Sequence, residues 1–346
     1  MALLDIPGQS RISRALLRAL KHQRLHHAYL FAGPEGVGKS ALAQAFAQAI
    51  LCVDPTPNGD ACGQCNVCHR IRTQQHADVH HIRRATNRDG QPERFIKIDQ
   101  VRALQQSLSF KSFEGGKRVV LVFEAEKMNP NTANAMLKTL EEPGENTHFV
   151  LVSHHAHRLL STILSRCQRL DFAPLPIDFV AEHLQSEHGA DPRQSLVIAR
   201  LSQGSLIRAN RMLEADILSL RVTLFDRLHS ASAGTIGQLM EWAEDISRPP
   251  QRDDLNLYFC LLRSWYRDLL AAMSGAAPEQ LIHQDLHAGV MRAASLVNSE
   301  TVSTLIGQIT EAERAIFEHT ANARLVVESL LLRLTDVGFL GVINDR

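Results

Sequence analysis

The sequence predicts an α/β domain built on a parallel sheet, followed by regions that contain helices alone. Up to about residue 172, strand signals alternate with helical patterns, which is typical of a parallel sheet covered by helices on both faces. A glycine-rich segment at 33–40 stands between the first apolar run and a helical pattern. Beyond that point the strand signals end and amphipathic helical patterns continue. We therefore predict three domains, at 1–172, 173–214 and 215–346.

Composition agrees with more than one domain and with helical cores. The chain has 346 residues, of which 45% are hydrophobic and 5% aromatic, so Leu, Ala and Val dominate the apolar set. Lys plus Arg equals Asp plus Glu at 37 each, so no overall positive field draws the chain to DNA or to an anionic membrane. Any nucleic-acid role is therefore expected to be shared with partners.

The elements of the first domain follow from apolar runs and helical periodicity. One helix is predicted from near Asp99, and a second at 132–142, where Pro143 ends it. In the second helix, apolar residues recur at the i, i+3, i+4 and i+7 spacing of one helical face. The strands are predicted at 28–32, 79–82, 119–123, 149–153 and 168–172.

The C-terminal half is predicted to be helical throughout. Residues 177–214 form a small helical unit, and long helices are expected at 255–272 and 321–335. The last of these is apolar nearly all round, so we expect it to be buried.

The compartment is predicted from the absence of targeting signals. The N-terminal residues have no signal-peptide pattern, and no run reaches the roughly 18 to 20 apolar residues of a membrane helix. We therefore expect a soluble, cytoplasmic protein.

Four of the six cysteines lie within 52–68, and in such a protein this clustering favours a metal site over disulfides.

The segment GPEGVGKS at 33–40 fits the phosphate-binding pattern G-x-x-x-x-G-K-[ST]. Its glycines let backbone N–H groups close around phosphate oxygens, Lys39 reaches the outer phosphates, and the Ser40 hydroxyl can join a magnesium shell. The loop therefore predicts ATP with Mg²⁺ as a ligand. The residues predicted to bind nucleotide here are Gly33, Gly36, Gly38, Lys39 and Ser40.

The strand at 119–123 lacks part of what hydrolysis requires. Glu124, which follows it, can serve as the acid that binds the metal. Ala125 stands where many motor ATPases carry a glutamate that polarises water. We therefore expect nucleotide binding without appreciable turnover.

The cysteine cluster predicts one structural zinc ion. Four thiolates surround Zn²⁺ tetrahedrally at about 2.3 Å and leave no open position for water. A DNA-reading zinc finger would need histidine ligands, a recognition helix and a basic face, none of which the sequence offers. The predicted ligands are Cys52, Cys62, Cys65 and Cys68.

Two arginines are candidates for contacts with phosphate. Arg166 follows the fourth strand, and its planar, permanently charged fork suits the stabilisation of a transferring phosphoryl group. From chemistry alone, a surface salt bridge is the commoner role of such an arginine. Arg208 can contact a nucleotide from the helical unit, although a solvated helix charge is equally common. Cys167 stands apart from the cluster and is expected to pack in the core.

Four segments, in order and at family-like spacing, resemble the clamp-loader branch of the AAA+ ATPases. They are HAYLFAGP at 27–34, the cysteine insertion at 52–68, NAMLKTLEEP at 134–143 and LSRC at 164–167. These motifs cover residues 1–215, and the helical remainder matches by pattern alone. The resemblance implies a RecA-like AAA+ domain with a zinc insertion, a helical lid and a C-terminal helical collar that joins a circular pentamer.

The resemblance also implies a function. Such a subunit belongs to a replicative DNA polymerase holoenzyme, helps place a sliding clamp on primed DNA, and has no polymerase site of its own. Arg166 is implied to reach the ATP of a neighbouring subunit in trans. With Ala125 in place of the catalytic glutamate, the chain resembles the members of the family that do not hydrolyse ATP. Glu124 departs from the aspartate that is usual in the family, and the intact loop at 33–40 departs from the best-known member of this kind.

Three other functions are compatible with parts of the sequence. A motor subunit of the same loader is disfavoured by Ala125 and by the lack of a long C-terminal extension. A free-standing phosphotransferase would need an acceptor-binding lid near the loop and no collar. A zinc-dependent DNA-binding module is disfavoured by the neutral charge.

Overall fold

The structure, a computed structural model, describes residues 2–87, 90–114, 116–232, 236–249, 251–317, 319 and 321–335. The chain divides into two compact units, Met1–Pro176 and Ile177–Arg346. The predicted division of the second unit near residue 214 stays a prediction, and the end of the predicted third domain, 336–346, lies outside the described residues.

The first unit is an α/β unit on a parallel sheet, which confirms the predicted fold class. Among the described residues the strands are β1 (Ala28–Ala32), β2 (Val79–Ile82), β3 (Arg118–Val122), β4 (Thr147–Ser153) and β5 (Gln168–Asp171). The helices are α1 (Ser10–Lys21), α2 (Lys39–Leu51), α3 (Asn66–Arg72), α4 (Ile98–Leu108), α5 (Pro130–Glu141) and α6 (Ser161–Leu164).

The strands pair in the order β2-β3-β4-β1-β5, and every pair is parallel. Strands β1 and β3 are buried along their whole length because helices cover both faces of the sheet. Most of β5, at one end of this order, is exposed. Since all strands are parallel, the segments that follow β1, β3 and β4 meet at the same edge of the sheet. This edge carries the candidate nucleotide site.

Helix α5 begins two residues before the predicted start. Asn129 precedes it and accepts a hydrogen bond at its side chain from the backbone N–H of Thr132, at 2.9 Å. Pro130 takes the first helical position, where its missing N–H costs nothing. The asparagine cap and the proline therefore fix the start that the apolar stripe left undefined.

Among the described residues of the second unit, helices are the only regular secondary structure, as predicted. Its helices are α7 (Ile177–His188), α8 (Pro192–Leu201), α9 (Leu206–Glu214), α10 (Ile217–Ser232), α11 (Ile236–Ile246), α12 (Leu255–Met273), α13 (His287–Leu296), α14 (Ser299–Phe317) and α15 (Ala323–Thr335). None of the helices that the structure describes combines the length and apolar character that a membrane crossing requires.

The expectation that the last helix is buried holds for one face of α15 and not for the rest. Leu330, Leu331 and Leu334 of α15 are buried, but Leu325 is 61% exposed and Leu332 is 39% exposed. The buried leucines share one helical face, and the exposed ones lie off it. Some leucines of α15 therefore lie outside its buried face.

Candidate functional site

The predicted phosphate loop joins β1 to α2 and requires glycine at particular positions. Gly36 and Gly38 have φ angles of 74° and 93°, in the left-handed region that favours glycine. Gly33 has a φ of 150°, and a Cβ atom there would lie 2.5 Å from the carbonyl oxygen of Phe172. Gly38 also precedes the first residue of α2. The loop therefore presents the N-terminus of α2, where backbone N–H groups favour anions.

The side chain of Lys39 points back into this loop. Its ammonium group donates hydrogen bonds to the carbonyl oxygens of Gly33, at 2.7 Å, and of Pro34. Lys39 is only 2% exposed, and burial lowers its pKa to about 8, an effect that the negative charges of Glu126 and Glu35 partly oppose. Both carbonyl groups are neutral acceptors, so phosphate oxygens would be stronger partners for the same ammonium group.

Glu124, the predicted metal-binding acid, is paired with a cation. Arg84 donates from Nε to Glu124 Oε2 at 2.8 Å and from Nη2 to Oε1 at 2.7 Å. Such a two-point pair between guanidinium and carboxylate is strong and directional. Ala125, the next residue, is fully buried and offers no polar side chain. Glu124 could bind a metal ion here only in competition with Arg84.

Glu126 is a carboxylate at this edge that the sequence reasoning missed. Its Oε1 accepts a hydrogen bond from the backbone N–H of His154, which follows β4, at 3.2 Å. Its Oε2 is buried and has no hydrogen-bond partner among the residues that the structure describes. The negative charge of Glu126 raises the pKa of Lys39 against the effect of burial. The signal in the sequence was its place just beyond a strand end at the loop edge.

Arg166 follows α6 and is partly exposed. Its guanidinium donates to the carbonyl oxygen of Thr162 at 2.9 Å and pairs with Glu141 Oε1 at 2.5 Å. The side chain of Arg166 is 34% exposed and that of Glu141 is 49% exposed. A surface ion pair of this kind contributes little to stability, about 0 to 1 kcal/mol. The arginine is therefore held at the surface of its unit without being required for the fold.

Arg208 lies on α9 in the second unit. Its Nη2 donates to the sulfur of Cys260 at 3.7 Å, and its backbone N–H donates to the capping hydroxyl of Ser205 at 3.2 Å. Its predicted contact with nucleotide stays a prediction.

Cys167 packs against the hydrophobic core of the sheet, and burial raises the pKa of its thiol to about 12.

The four clustered cysteines fit a tetrahedral metal site. Their sulfur atoms all lie within 4.8 Å of one another, with Cys52 3.6 Å from Cys62 and 4.0 Å from Cys65. Four sulfurs at the zinc distance of about 2.3 Å would be about 3.8 Å apart. None of the chain's six cysteines forms a disulfide. The donor chemistry and the spacing both fit Zn²⁺.

Local structure holds these sulfurs in place. Cys52 follows the last residue of α2, and Cys65 caps α3, whose third residue is Cys68. Backbone N–H groups of Cys65 and Cys68 donate to the sulfurs of Cys62 and Cys65, at 3.3 Å and 3.4 Å. Hydrogen bonds from the backbone, that of Cys65 first, lower the pKa of Cys62 to about 7. Cys62 is therefore readily converted into the thiolate that binds metal, whereas burial raises the pKa of Cys52 and Cys68, whose protons the metal would have to displace.

Family models and related proteins match most of this chain. A family model described as DNA polymerase III, delta subunit, matches residues 8–176, and a model described as DNA polymerase III, delta subunit, C terminal, matches residues 220–336. DNA polymerase III subunit delta' of Bacillus subtilis is 29% identical over 332 residues, which cover 95% of this chain and 96% of that protein. The corresponding subunit of Pseudomonas aeruginosa is 40% identical over 192 residues, 54% of this chain and 55% of that protein.

Two further similarities are more limited. DNA polymerase III subunit tau of Bacillus subtilis is 32% identical over 222 residues, which cover 62% of this chain and 37% of that protein. A solved structure of a DNA polymerase III, gamma subunit-related protein from Thermotoga maritima is 18% identical. Its TM-score is 0.42, over 93% of this chain and 99% of that one.

Proposed function

The chain belongs to the delta' subunits of DNA polymerase III, and from this premise we propose that it completes a neighbouring subunit's ATP site in a clamp loader without hydrolysing ATP itself. The delta' relatives match nearly the whole chain, whereas the tau match covers 62% of it. The observation that carries the non-hydrolysing role is the Arg84–Glu124 pair beside Ala125. Arg84 is bonded to the Glu124 carboxylate, which is expected to bind the metal. Ala125, the next residue, has no carboxylate to orient water.

The role assigned to this chain in the assembly depends on Arg166. We infer that its guanidinium reaches the ATP of the neighbouring subunit and stabilises the charge that develops on the transferring phosphoryl group. Its partial exposure and its weak surface pairing with Glu141 support this role, because releasing the arginine to a new partner would cost little.

The proposed partners are the gamma/tau and delta subunits in a hetero-pentamer. Through that assembly the chain would meet the sliding clamp and primed DNA, in the cytoplasm, with the helices of the second unit as the collar. The equal numbers of basic and acidic residues agree with DNA contacts that are shared rather than made by this chain alone. The cysteine cluster would hold one structural Zn²⁺, closed to water by its four thiolates.

The isolated chain is expected to hydrolyse ATP negligibly, because Ala125 cannot orient the attacking water even when Lys39 holds the phosphates. The measurement is steady-state ATPase activity of the purified chain, with Lys39→Ala as the control for contaminating enzymes. A gamma/tau-like motor subunit is the alternative function, which the intact phosphate loop and the tau match favour. Turnover at roughly 1 s⁻¹ or faster that disappears in Lys39→Ala would establish that alternative.

Nucleotide affinity is expected to fall as the pH rises through about 8. The ammonium form of Lys39 binds phosphate, and burial lowers the pKa of this lysine from 10.5 to about 8, so the charge is lost within the accessible range. Equilibrium titrations with a fluorescent ATP analogue between pH 7.5 and 9.5 would measure the change. Lys39→Arg keeps its charge over this range and serves as the control. An affinity for the wild-type chain that stays constant across the range would contradict the expectation.

A further inference from the structure

The N-terminal segment 2–9 contacts both the phosphate loop at 33–40 and the cysteine loop, which is the segment 52–68 that carries the four clustered cysteines. At its start, the backbone N–H groups of Leu3 and Leu4 donate to the Asp60 carboxylate, at 3.1 Å and 3.4 Å. Asp60 is 3% exposed, stands two residues before Cys62, and also accepts from the N–H of Ala61 at 2.7 Å. One buried carboxylate of the cysteine loop therefore holds the beginning of this segment.

The end of the same segment is fixed to the phosphate loop. Gln9, which is 3% exposed, donates from Nε2 to the carbonyl oxygen of Val37, at 3.2 Å, and of Ala173, at 2.8 Å. The buried side chain of Ile6 packs so closely on Gly38 that a Cβ atom there would lie 3.2 Å from its Cγ2. Segment 2–9 thus contacts two consecutive residues of the loop, Val37 and Gly38, the second of which directly precedes Lys39.

We propose that segment 2–9 couples the cysteine loop to the phosphate loop, with Asp60 and Gln9 as positioning residues. Glycine reaches the left-handed angles of Gly36 and Gly38 without strain but also reaches many others, so neighbouring contacts are needed to select this shape of the phosphate loop. Segment 2–9 supplies such contacts and is itself held by Asp60. Metal binding, which orders the cysteine loop, therefore stabilises the shape of the phosphate loop that receives nucleotide.

Burial makes these contacts hard to release. A buried carboxylate or amide that loses its partners has no water to replace them, so each contact persists unless the local structure opens. Leu3, at the Asp60 end of the segment, is fully buried, so lifting this end would expose its side chain to water. Because coupling between sites is reciprocal, nucleotide in the loop would in turn strengthen metal retention. This last statement rests on the proposed nucleotide binding, whereas the coupling of the two loops does not.

The test is hydrogen exchange of the zinc-loaded full chain carrying Asp60→Asn. This variant keeps the size of the side chain and weakens its hydrogen bonds with the Leu3 and Leu4 N–H groups. We expect backbone amides in 2–9 and in 33–40 to exchange about tenfold faster, as the loss of a charge-assisted hydrogen bond implies. The matched control is Asp54→Asn, which removes an exposed carboxylate from the same loop and should change neither region.

A second variant tests the other end and covers the case in which Asp60→Asn does not fold. Gln9→Met has a similar shape and lacks both donors, so it should speed exchange in 33–40 while zinc stays at one equivalent. Affinity for a fluorescent ATP analogue should fall in both variants and stay unchanged in Asp54→Asn. Wild-type exchange in 33–40 for folded variants would overturn the coupling. If the wild-type chain binds no analogue, nucleotide binding fails while the exchange result still decides the coupling.

Discussion

Replacing Arg166 with alanine is expected to slow ATP hydrolysis by the neighbouring subunit, while this chain stays folded and the complex still assembles. An arginine that stabilises phosphoryl transfer in trans contributes about 10³ to 10⁵ in rate at a single site. The loss summed over all sites of the proposed pentamer is expected to be smaller. Folding should be preserved because the Arg166–Glu141 pair lies at the surface. The measurement is clamp-stimulated ATPase and clamp loading by the complex reassembled with this one subunit changed.

Two controls separate the proposed role from loss of a salt bridge. Arg166→Lys keeps the charge but not the planar fork, and should restore little activity. Arg169→Ala removes a nearby exposed arginine that is also paired with a carboxylate, Asp171, and should leave the rates unchanged. If the complex with Arg166→Ala hydrolyses ATP and loads the clamp at wild-type rates, Arg166 forms only an ordinary surface ion pair. The main mechanistic role proposed for the chain would then be wrong.

Replacing Cys68 with serine is expected to abolish zinc binding and to destabilise the first unit. Structural zinc contributes about 10 to 16 kcal/mol of apparent binding free energy in small zinc-finger peptides. Only part of this should be lost here, because the sheet core contains none of the four ligands. A loss of about 3 to 5 kcal/mol would lower the midpoint of thermal unfolding, Tm, by roughly 6 to 20 °C, at about 2 to 4 °C per kcal/mol for a unit of this size. Calorimetry together with metal analysis would measure both effects.

The matched control is Cys167→Ser, which changes a thiol outside the cluster. It should keep one equivalent of zinc, as the wild-type chain purified without added zinc should. A metal-free wild-type chain with a native far-UV spectrum and unchanged thermal stability would contradict the structural role of zinc. A Cys52–Cys62 disulfide in the purified protein would contradict it equally.

Much of the first unit could be predicted because its signals are local. β1 occupies the predicted residues 28–32, and the cysteine spacing alone identified four sulfurs that the fold brings together. β3 and β4 begin one or two residues before their predicted starts, where backbone pairing of Arg118 with Thr147 extends both strands. The burial of α15 was overestimated because a run of leucines does not reveal which of them face the core.

The contacts that were not predicted join residues far apart in the chain. Arg84 and Glu124 are 40 positions apart, and no periodic pattern pairs one side chain with the other. Asp60 and Gln9 likewise look like ordinary polar residues, and only the fold shows that they are buried. The sequence identified the residue types of the site, and the fold determines their partners.

The exposed strand β5 affects how the chain behaves before it finds its partners. At the end of the strand order, its outer backbone N–H and C=O groups are potential templates for a strand from another molecule. Arg169 and Asp171 project from the same face of β5, pair at 2.8 Å, and have side chains that are 53% and 68% exposed. An incoming strand would have to accommodate both charges, so this edge resists uncontrolled strand addition. Charges on an exposed edge strand disfavour edge-to-edge pairing between separate chains, and β5 has this feature.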